Sequence, residues 1–252
     1  MTMKKFITIT SVFIIFFAAV SNSFSQANNV KVYIAGGYNF NFPKASSVNF
    51  IINRYNQTRS NLTKTMDNVN SMSGLTLALG GILESYNSSV LLEGGVTFKN
   101  SGEKKAEGVF SGNDVRRDFK VSSTLVNVGM GYMLNSNNPV DFGLGLFVDF
   151  GSVKYKTRVY TAGETVPDYT DIETGSSTLS LGFTPTAFLN VYPVDNFGVS
   201  VRPYYFAQIF TQDLEEVNKT LNPNTWMNDD PESYNKETLS GFGVDVKAMI
   251  IF

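Results

Sequence analysis

The chain has 252 residues, 42% of them apolar, with 20 Lys plus Arg against 22 Asp plus Glu and neither Cys nor His, a length that allows one large domain or two small ones. Without Cys there is no disulfide framework, no thiolate nucleophile, no Cys-based metal site and no lipidated Cys. Without His the usual general base at neutral pH and the commonest metal ligand are both missing, so every Ser-His-Asp or Cys-His arrangement is excluded.

The chain opens with Lys4 and Lys5, an apolar stretch over residues 6 to 20, and small or polar residues ending in Ser23, Ser25 and Ala27. This reads as a secretory signal over 1–27, since the apolar run is shorter than the ~20 residues a spanning helix needs. Its removal takes two Lys and no acid, leaving 18 − 22 = −4. A mildly acidic exported chain has no electrostatic basis for nucleic-acid binding. The remaining 28–252 has no run of 18 apolar residues, so a membrane role requires a closed barrel.

From Val30 onward the sequence period is two. Eight alternating segments predict eight strands. In the first, Val30, Val32, Ile34, Tyr38 and Phe40 oppose Lys31, Tyr33, Ala35 and Asn39. In the second, Leu75, Leu77, Leu79 and Leu83 oppose Thr76, Ala78, Gly80 and Glu84. Val90, Leu92, Val96 and Phe98 oppose Glu93, Gly95, Thr97 and Lys99 in the third, and Val126, Val128, Met130, Tyr132 and Leu134 oppose Asn127, Gly129, Gly131 and Met133 in the fourth. The fifth sets Val140, Phe142, Leu144, Leu146, Val148 and Phe150 against Asp141, Gly143, Gly145, Phe147, Asp149 and Gly151, with a phase slip expected near Ser152. The sixth (179–191) and seventh (197–209) follow the same rule, with Arg202 on the small or charged face. In the last, Phe242, Val244, Val246, Ala248, Ile250 and Phe252 oppose Gly243, Asp245, Lys247, Met249 and Ile251.

Short Asn-, Ser-, Pro- or Asp-rich turns at 85–88, 135–139 and 193–196 alternate with long polar segments at about 41–73, 100–119, 161–177 and 211–238. That is the pattern of an all-β, eight-stranded antiparallel up-and-down transmembrane barrel with short periplasmic turns and long extracellular loops. Ten strands would also satisfy it if loops one and four each held one. A soluble lipocalin-like carrier of apolar ligands would alternate in the same way with its apolar face turned inward. Long strands and a Gly-rich charged face favour lipid outside, because eight strands enclose only enough room for side chains.

On this strand pattern, the loop alternation and the ladder Phe242, Val244, Val246, Ala248, Ile250, Phe252, the chain resembles small eight-stranded outer-membrane proteins of the OmpA/OmpX type and the outer membrane beta-barrel domain proteins common in Bacteroidota. The resemblance implies an outer-membrane location, lipid as surroundings, and a last strand read by the barrel-assembly machinery. Phe252 and Ile250 match that signal, while Ala248 is small where larger apolar residues are commoner. Barrel enzymes of related kinds use a catalytic His that this chain lacks, so no enzyme, cofactor or metal is expected.

The strand phases put Lys31, Glu84, Glu93, Lys99, Asp141, Asp149, Arg202, Asp245 and Lys247 in the lumen. Buried charges must pair, so a network among Glu93, Arg202, Asp245 and Lys247 is the expected arrangement, and it would close the lumen rather than conduct. A small-solute or ion pore is the alternative. Pro185 and Pro203 interrupt the sixth and seventh strands at similar depth, readable as a bulge or as a weakened ladder. In the first loop, Ser46 and Ser47 are possible N-caps for an amphipathic helix with Val48, Ile51, Ile52 and Tyr55 on one face and Asn53, Arg54 and Asn56 on the other. Lys104, Lys105, Arg116 and Arg117 are interleaved with Glu103, Glu107, Asp114 and Asp118, which reads as a self-satisfied hairpin extension more readily than as a bridge to lipopolysaccharide phosphates. The last loop carries Asp213, Glu215, Glu216, Asp229, Asp230, Glu232 and Glu237 against Lys219 and Lys236, beside the sole Trp226, and reads as a solvated acidic run. The long loops are where a protein or surface ligand would bind.

Overall fold

The computed structural model describes residues 29–84, 88–135, 139–172, 179–223 and 235–252. The expected export signal, most of the turns at 85–88 and 135–139, and Trp226, Asp229, Asp230 and Glu232 lie outside the described residues.

The barrel strands are β1 (Asn29–Pro43), β2 (Met72–Glu84), β3 (Ser88–Asn100), β4 (Asn113–Asn135), β5 (Val140–Thr161), β6 (Leu179–Val194), β7 (Phe197–Gln208) and β8 (Gly241–Ile251). Each pairs antiparallel with its chain neighbours, and β8 pairs with β1, so among the described residues these eight strands form a closed ring. Phe252 extends the closing seam, its N–H donating to Val32 O at 2.8 Å. The loops hold two helices, α1 (Ser46–Gln57) and α2 (Glu215–Leu221). They also carry short strands at Leu62–Lys64, Lys104–Phe110 and Thr170–Ile172, which flank the tops of β4 and β5 without entering the ring, so the barrel has eight strands rather than ten.

Orientation follows from exposure. Leu144, Leu75 and Phe242 are 72%, 61% and 70% exposed, while Glu93, Arg202 and Lys247 on the opposite faces are buried. A contiguous belt of exposed Leu, Ile, Val and Phe around charged contents is stable only where lipid replaces water outside. The inward-facing alternative, the lipocalin-like carrier, is thereby overturned. Aromatic side chains rim the belt, with Phe40, Phe42, Phe98, Tyr205 and Phe242 above and Tyr132, Phe142, Phe197 and Phe252 below. The chain is a transmembrane β-barrel of the outer-membrane type, and barrels of this type reside in outer membranes.

β4 and β5 are 23 and 22 residues long, twice the ~9–11 that cross a bilayer. Their ladder is continuous from Asn135 paired with Asp141 to Val115 paired with Thr161. The phase slip expected near Ser152 therefore does not occur. What changes there is the surroundings: below, outward Phe150 and Leu146 meet lipid and inward Asp149 is polar, whereas above, outward Lys154 and Lys156 are charged and inward Val153 and Tyr155 are buried in an apolar core. One strand keeps one pleat while both of its environments invert.

The two prolines do not make a bulge. The β6–β7 register keeps the same sum through Leu189–Val201, Thr186–Tyr204 and Phe183–Ala207, and its only shift falls between Phe197 and Val199, beside the turn. Ile209 N donates to Leu181 O at 2.8 Å, which marks this parity as the hydrogen-bonded one. Pro185 and Pro203 therefore each remove one donor from the seam, opposite Tyr205 and Ala187, on either side of the Thr186–Tyr204 pair.

Leu146→Arg, at the middle of the outward belt, is expected to cost about 2–4 kcal/mol, while Thr124→Arg, on the same face above it, costs about 0–1 kcal/mol; denaturant unfolding in lipid vesicles reads both. Hydrogen exchange is expected to be faster at Ala187 and Tyr205 than at Leu189 and Ala207 on the same seam. Uniform protection would show the seam to be as tight as its neighbours.

Candidate functional site

The barrel interior is built in three tiers. The lowest, toward the short turns, is apolar: Tyr33, Ala35, Ala78, Ile82, Leu91, Met133, Phe147, Phe188, Met249 and Ile251. Inward glycines make room for the rings. A Cβ on Gly145 or Gly131 would lie 2.6 Å from the Phe188 ring, and one on Gly80 would lie 2.4 Å from the Tyr33 ring.

The middle tier is polar and centres on Glu93, which is 2% exposed. Arg202 Nη1 donates to both of its oxygens at 2.7 and 2.8 Å, Lys247 Nζ donates at 2.9 Å, and the Tyr33 hydroxyl donates at 2.5 Å. Lys247 also bridges Asp245 at 3.0 Å. Arg202 Nε donates to Ser200 Oγ at 2.7 Å, and Ser200 in turn to Asn190 Oδ1 at 2.6 Å, so the guanidinium is held from two sides. A carboxylate in this position needs that many donors, because an ion removed from water without partners costs several kcal/mol.

Of the nine charged residues that the strand phases point inward, Glu93, Arg202, Asp245 and Lys247 form this one cluster. Asp149 accepts from Thr184 Oγ1 at 2.6 Å, and Lys99 lies 5.6 Å from the Phe206 ring; both border a cavity of about 50 Å³ together with Arg202, Asp245 and Lys247. At roughly 10–15 Å³ per water, that is room for a few waters. Arg202 Nη2 and Asp245 Oδ1, which have no protein partner, belong to residues lining this cavity. Lys31 and Glu84 pair at 2.6 Å on side chains 43% and 25% exposed, apart from the cluster at the lower mouth, and Asp141 is half-buried. Sequence reasoning did not single out Tyr33, Ser200 and Asn190, although alternation already placed them on the inward face.

The upper tier is a second apolar core above the membrane. α1 contributes Val48, Ile51, Ile52 and Tyr55, all buried against Met66, Val69, Phe119, Val121, Val153, Tyr155, Leu214, Val217 and Leu221. Ser46 and Ser47 are not N-caps. The cap residue is Ala45, with no side-chain bond, and the helix amide of Ser47 instead donates at 2.6 Å to Glu237 Oε2 from the far end of the last loop. Burial pushes the Glu237 carboxyl above its ordinary range, while backbone donors at Ser47, Val48 and Thr238 draw it partly back. Asn49 and Asn56, about two turns apart on one side of the helix, clamp the backbone of Val69 and Met66 with paired amide bonds at 2.7–3.2 Å. Arg59 stacks 3.8 Å from the Tyr55 ring and donates to Leu221 O at 2.7 Å, tying the first loop to α2. The acidic run is therefore divided: Glu237 is a structural cap, whereas Glu215 and Glu216 share Lys219 at 2.8 Å each. Among the described residues no group of three or more Asp or Glu side chains is placed to hold a metal ion.

No protein-family model and no curated protein matches this chain. Among solved structures it is similar to Ail, the attachment invasion locus protein of Yersinia pestis, in complex with the heparin analogue sucrose octasulfate, at 13% identity and TM-score 0.40 over 89% of this chain and 99% of that one. It is also similar to Neisserial surface protein A, at 10% identity and TM-score 0.39 over 90% and 99%, and to the outer membrane protein OprG from Pseudomonas aeruginosa, at 10% and 0.42 over 88% and 95%. The fold assignment stands on this chain's own strand closure and exposed belt.

Removing one partner from the central cluster strands the others, so Glu93→Gln and Arg202→Met are each expected to cost about 3–5 kcal/mol. The double variant should cost less than the two costs combined, since Lys247 keeps Asp245. Unfolding midpoints in vesicles give both numbers, and simple additivity would show that the pair is not coupled.

Proposed function

We propose that this chain is a non-enzymatic outer-membrane barrel whose working surface is its extracellular cap, in a structural or surface-recognition role. The observation that carries this reading is the division of the interior. Below, an apolar tier and an ion-paired tier fill the lumen; above, four loops are packed on a core of their own, centred on Ile51, Ile52, Phe119 and Tyr155. Loops stiffened in this way on a rigid scaffold suit recognition of a protein or other surface ligand. An enzymatic role has little support: the chain has no His or Cys, and the carboxylate at the centre of the lumen, Glu93, is fully engaged by cations.

The same reading includes export through residues 1–27 and insertion by the assembly machinery through the last strand. Phe242, Val246, Ile250 and Phe252 all stand exposed on the lipid face of β8, where a docking partner could read them before closure. Val244 and Ala248 lie on that face as well.

Two measurements test the reading together. Purified protein in planar bilayers is expected to show no conductance above leak; stable single-channel steps would replace it with the pore. Photo-crosslinking amino acids at Asn53 and Gln57, exposed on α1, are expected to capture a defined partner on intact cells, whereas one at Leu144 in the belt captures lipid alone. Cap positions that yield nothing beyond the Leu144 pattern would count against recognition.

A further inference from the structure

We propose that the outward face of β4 and β5, just above the apolar belt, is a docking site for phosphate-bearing lipid headgroups of the surrounding leaflet, with Lys120, Lys154 and Lys156 as its cations. The inference uses the lipid-facing orientation of the barrel but not the recognition role of the cap.

Three observations carry it. The first is height. Val126 pairs with Phe150 at the top of the belt, Ser122 with Lys154 four residues higher and Lys120 with Lys156 six residues higher. At ~3.4 Å per residue and a strand tilt of ~40°, the two levels lie roughly 10 and 16 Å above the last lipid-facing ring. Lysine side chains bend back along such a surface toward the headgroups while their stems cover apolar groups. The face points sideways over the lipid, since Val121, Val153 and Tyr155 between these lysines point into the cap core.

The second observation is an uncompensated charge. Lys120 and Lys156 are directly opposite across the β4–β5 ladder, a like-charge pairing that destabilises a sheet unless an anion bridges it. Among the described residues the one carboxylate paired with this group is Asp171, which is shared between Lys154 at 2.8 Å and Lys156 at 3.1 Å. Those hydrogen bonds hold the Asp171 carboxyl below its ordinary range, so it contributes one full negative charge against three positive ones. Among the described residues, Lys120 reaches the face of Tyr169, at 4.9 Å from the ring centroid, and no carboxylate.

The third is contrast. Higher on the same two strands and on the adjoining Lys104–Phe110 strand, Lys105 is met by Glu103 at 3.0 Å, Arg116 by Glu107 at 3.8 Å, and Arg158 by Asp118 at 2.7 Å and Glu103 at 3.1 Å. A phosphate group, with several acceptor oxygens and one to two negative charges, fits between two opposed ammonium groups. Facing the leaflet, the site meets phosphates anchored by acyl chains at a fixed height.

Native mass spectrometry from neutral-detergent micelles tests this with diphosphorylated lipid A as the probe. The wild-type chain is expected to retain it, with retention falling roughly tenfold in Lys120→Gln/Lys156→Gln and unchanged in Lys64→Gln/Arg116→Gln. Lipid A stripped of its phosphates should bind the wild-type chain no better than it binds the double variant. Equal retention by wild type and double variant, or equal retention of the phosphate-free lipid, would overturn the proposal. Displacement by millimolar inorganic phosphate would also overturn it, assigning the lysines to a soluble anion. The heat-induced mobility shift on SDS gels checks that each variant is folded. If the double variant is not, Lys120→Gln, which among the described residues touches no carboxylate, carries the same comparison.

Discussion

Inside a bilayer a backbone N–H or C=O has no water to bond, so a strand that enters lipid must find a partner on both edges. Closing β8 onto β1 meets that requirement, and most other features of this molecule follow from the closure. Eight strands leave an interior only as wide as side chains can fill. The inward face must therefore be packed, and the residues that pack it cannot be lipid-facing ones. Gly131 and Gly145 beneath Phe188, and Gly80 beneath Tyr33, show how small and large residues share that narrow volume.

Packing a charged tier in the middle of a membrane protein is stable only if each ion is met by several donors or acceptors. Glu93 answers with Arg202, Lys247 and Tyr33, and the arginine is further secured by Ser200 and Asn190. The cluster ties β1, β3, β7 and β8 together across the barrel axis, which the ring of backbone hydrogen bonds by itself does not do. It also sits between two apolar tiers, beside the small cavity that Lys99 and Asp149 border.

Above the membrane the logic reverses without a break in the chain. β4 and β5 keep their register through Ser152, yet the inward face turns apolar and the outward face turns basic, because water now lies outside and a hydrophobic cap lies inside. That inversion looked like a phase slip in the sequence, since a pattern of apolar residues carries no label for the solvent on either side. Farther up these strands Arg116 and Arg158 are met by acids, whereas at the level of Lys120, Lys154 and Lys156 one carboxylate among the described residues, Asp171, serves two of the three lysines.

The period-two pattern of the sequence was sufficient for the fold class, the lipid-facing residues and the inward charges, because alternation is set by the backbone itself and a closed barrel has one inside. Even the register of β6 with β7 around Pro185 and Pro203 was legible, as the short turn near 195 leaves little freedom. The amphipathic face of α1 could be read from its spacing, but not its cap. Glu237 lies 190 residues from Ser47, and only the folded loops bring them together. The same holds for Tyr33 on Glu93, the clamps at Asn49 and Asn56, and the opposed Lys120 and Lys156. Each depends on which residues become neighbours across strands and loops, which local periodicity does not encode and tertiary packing decides.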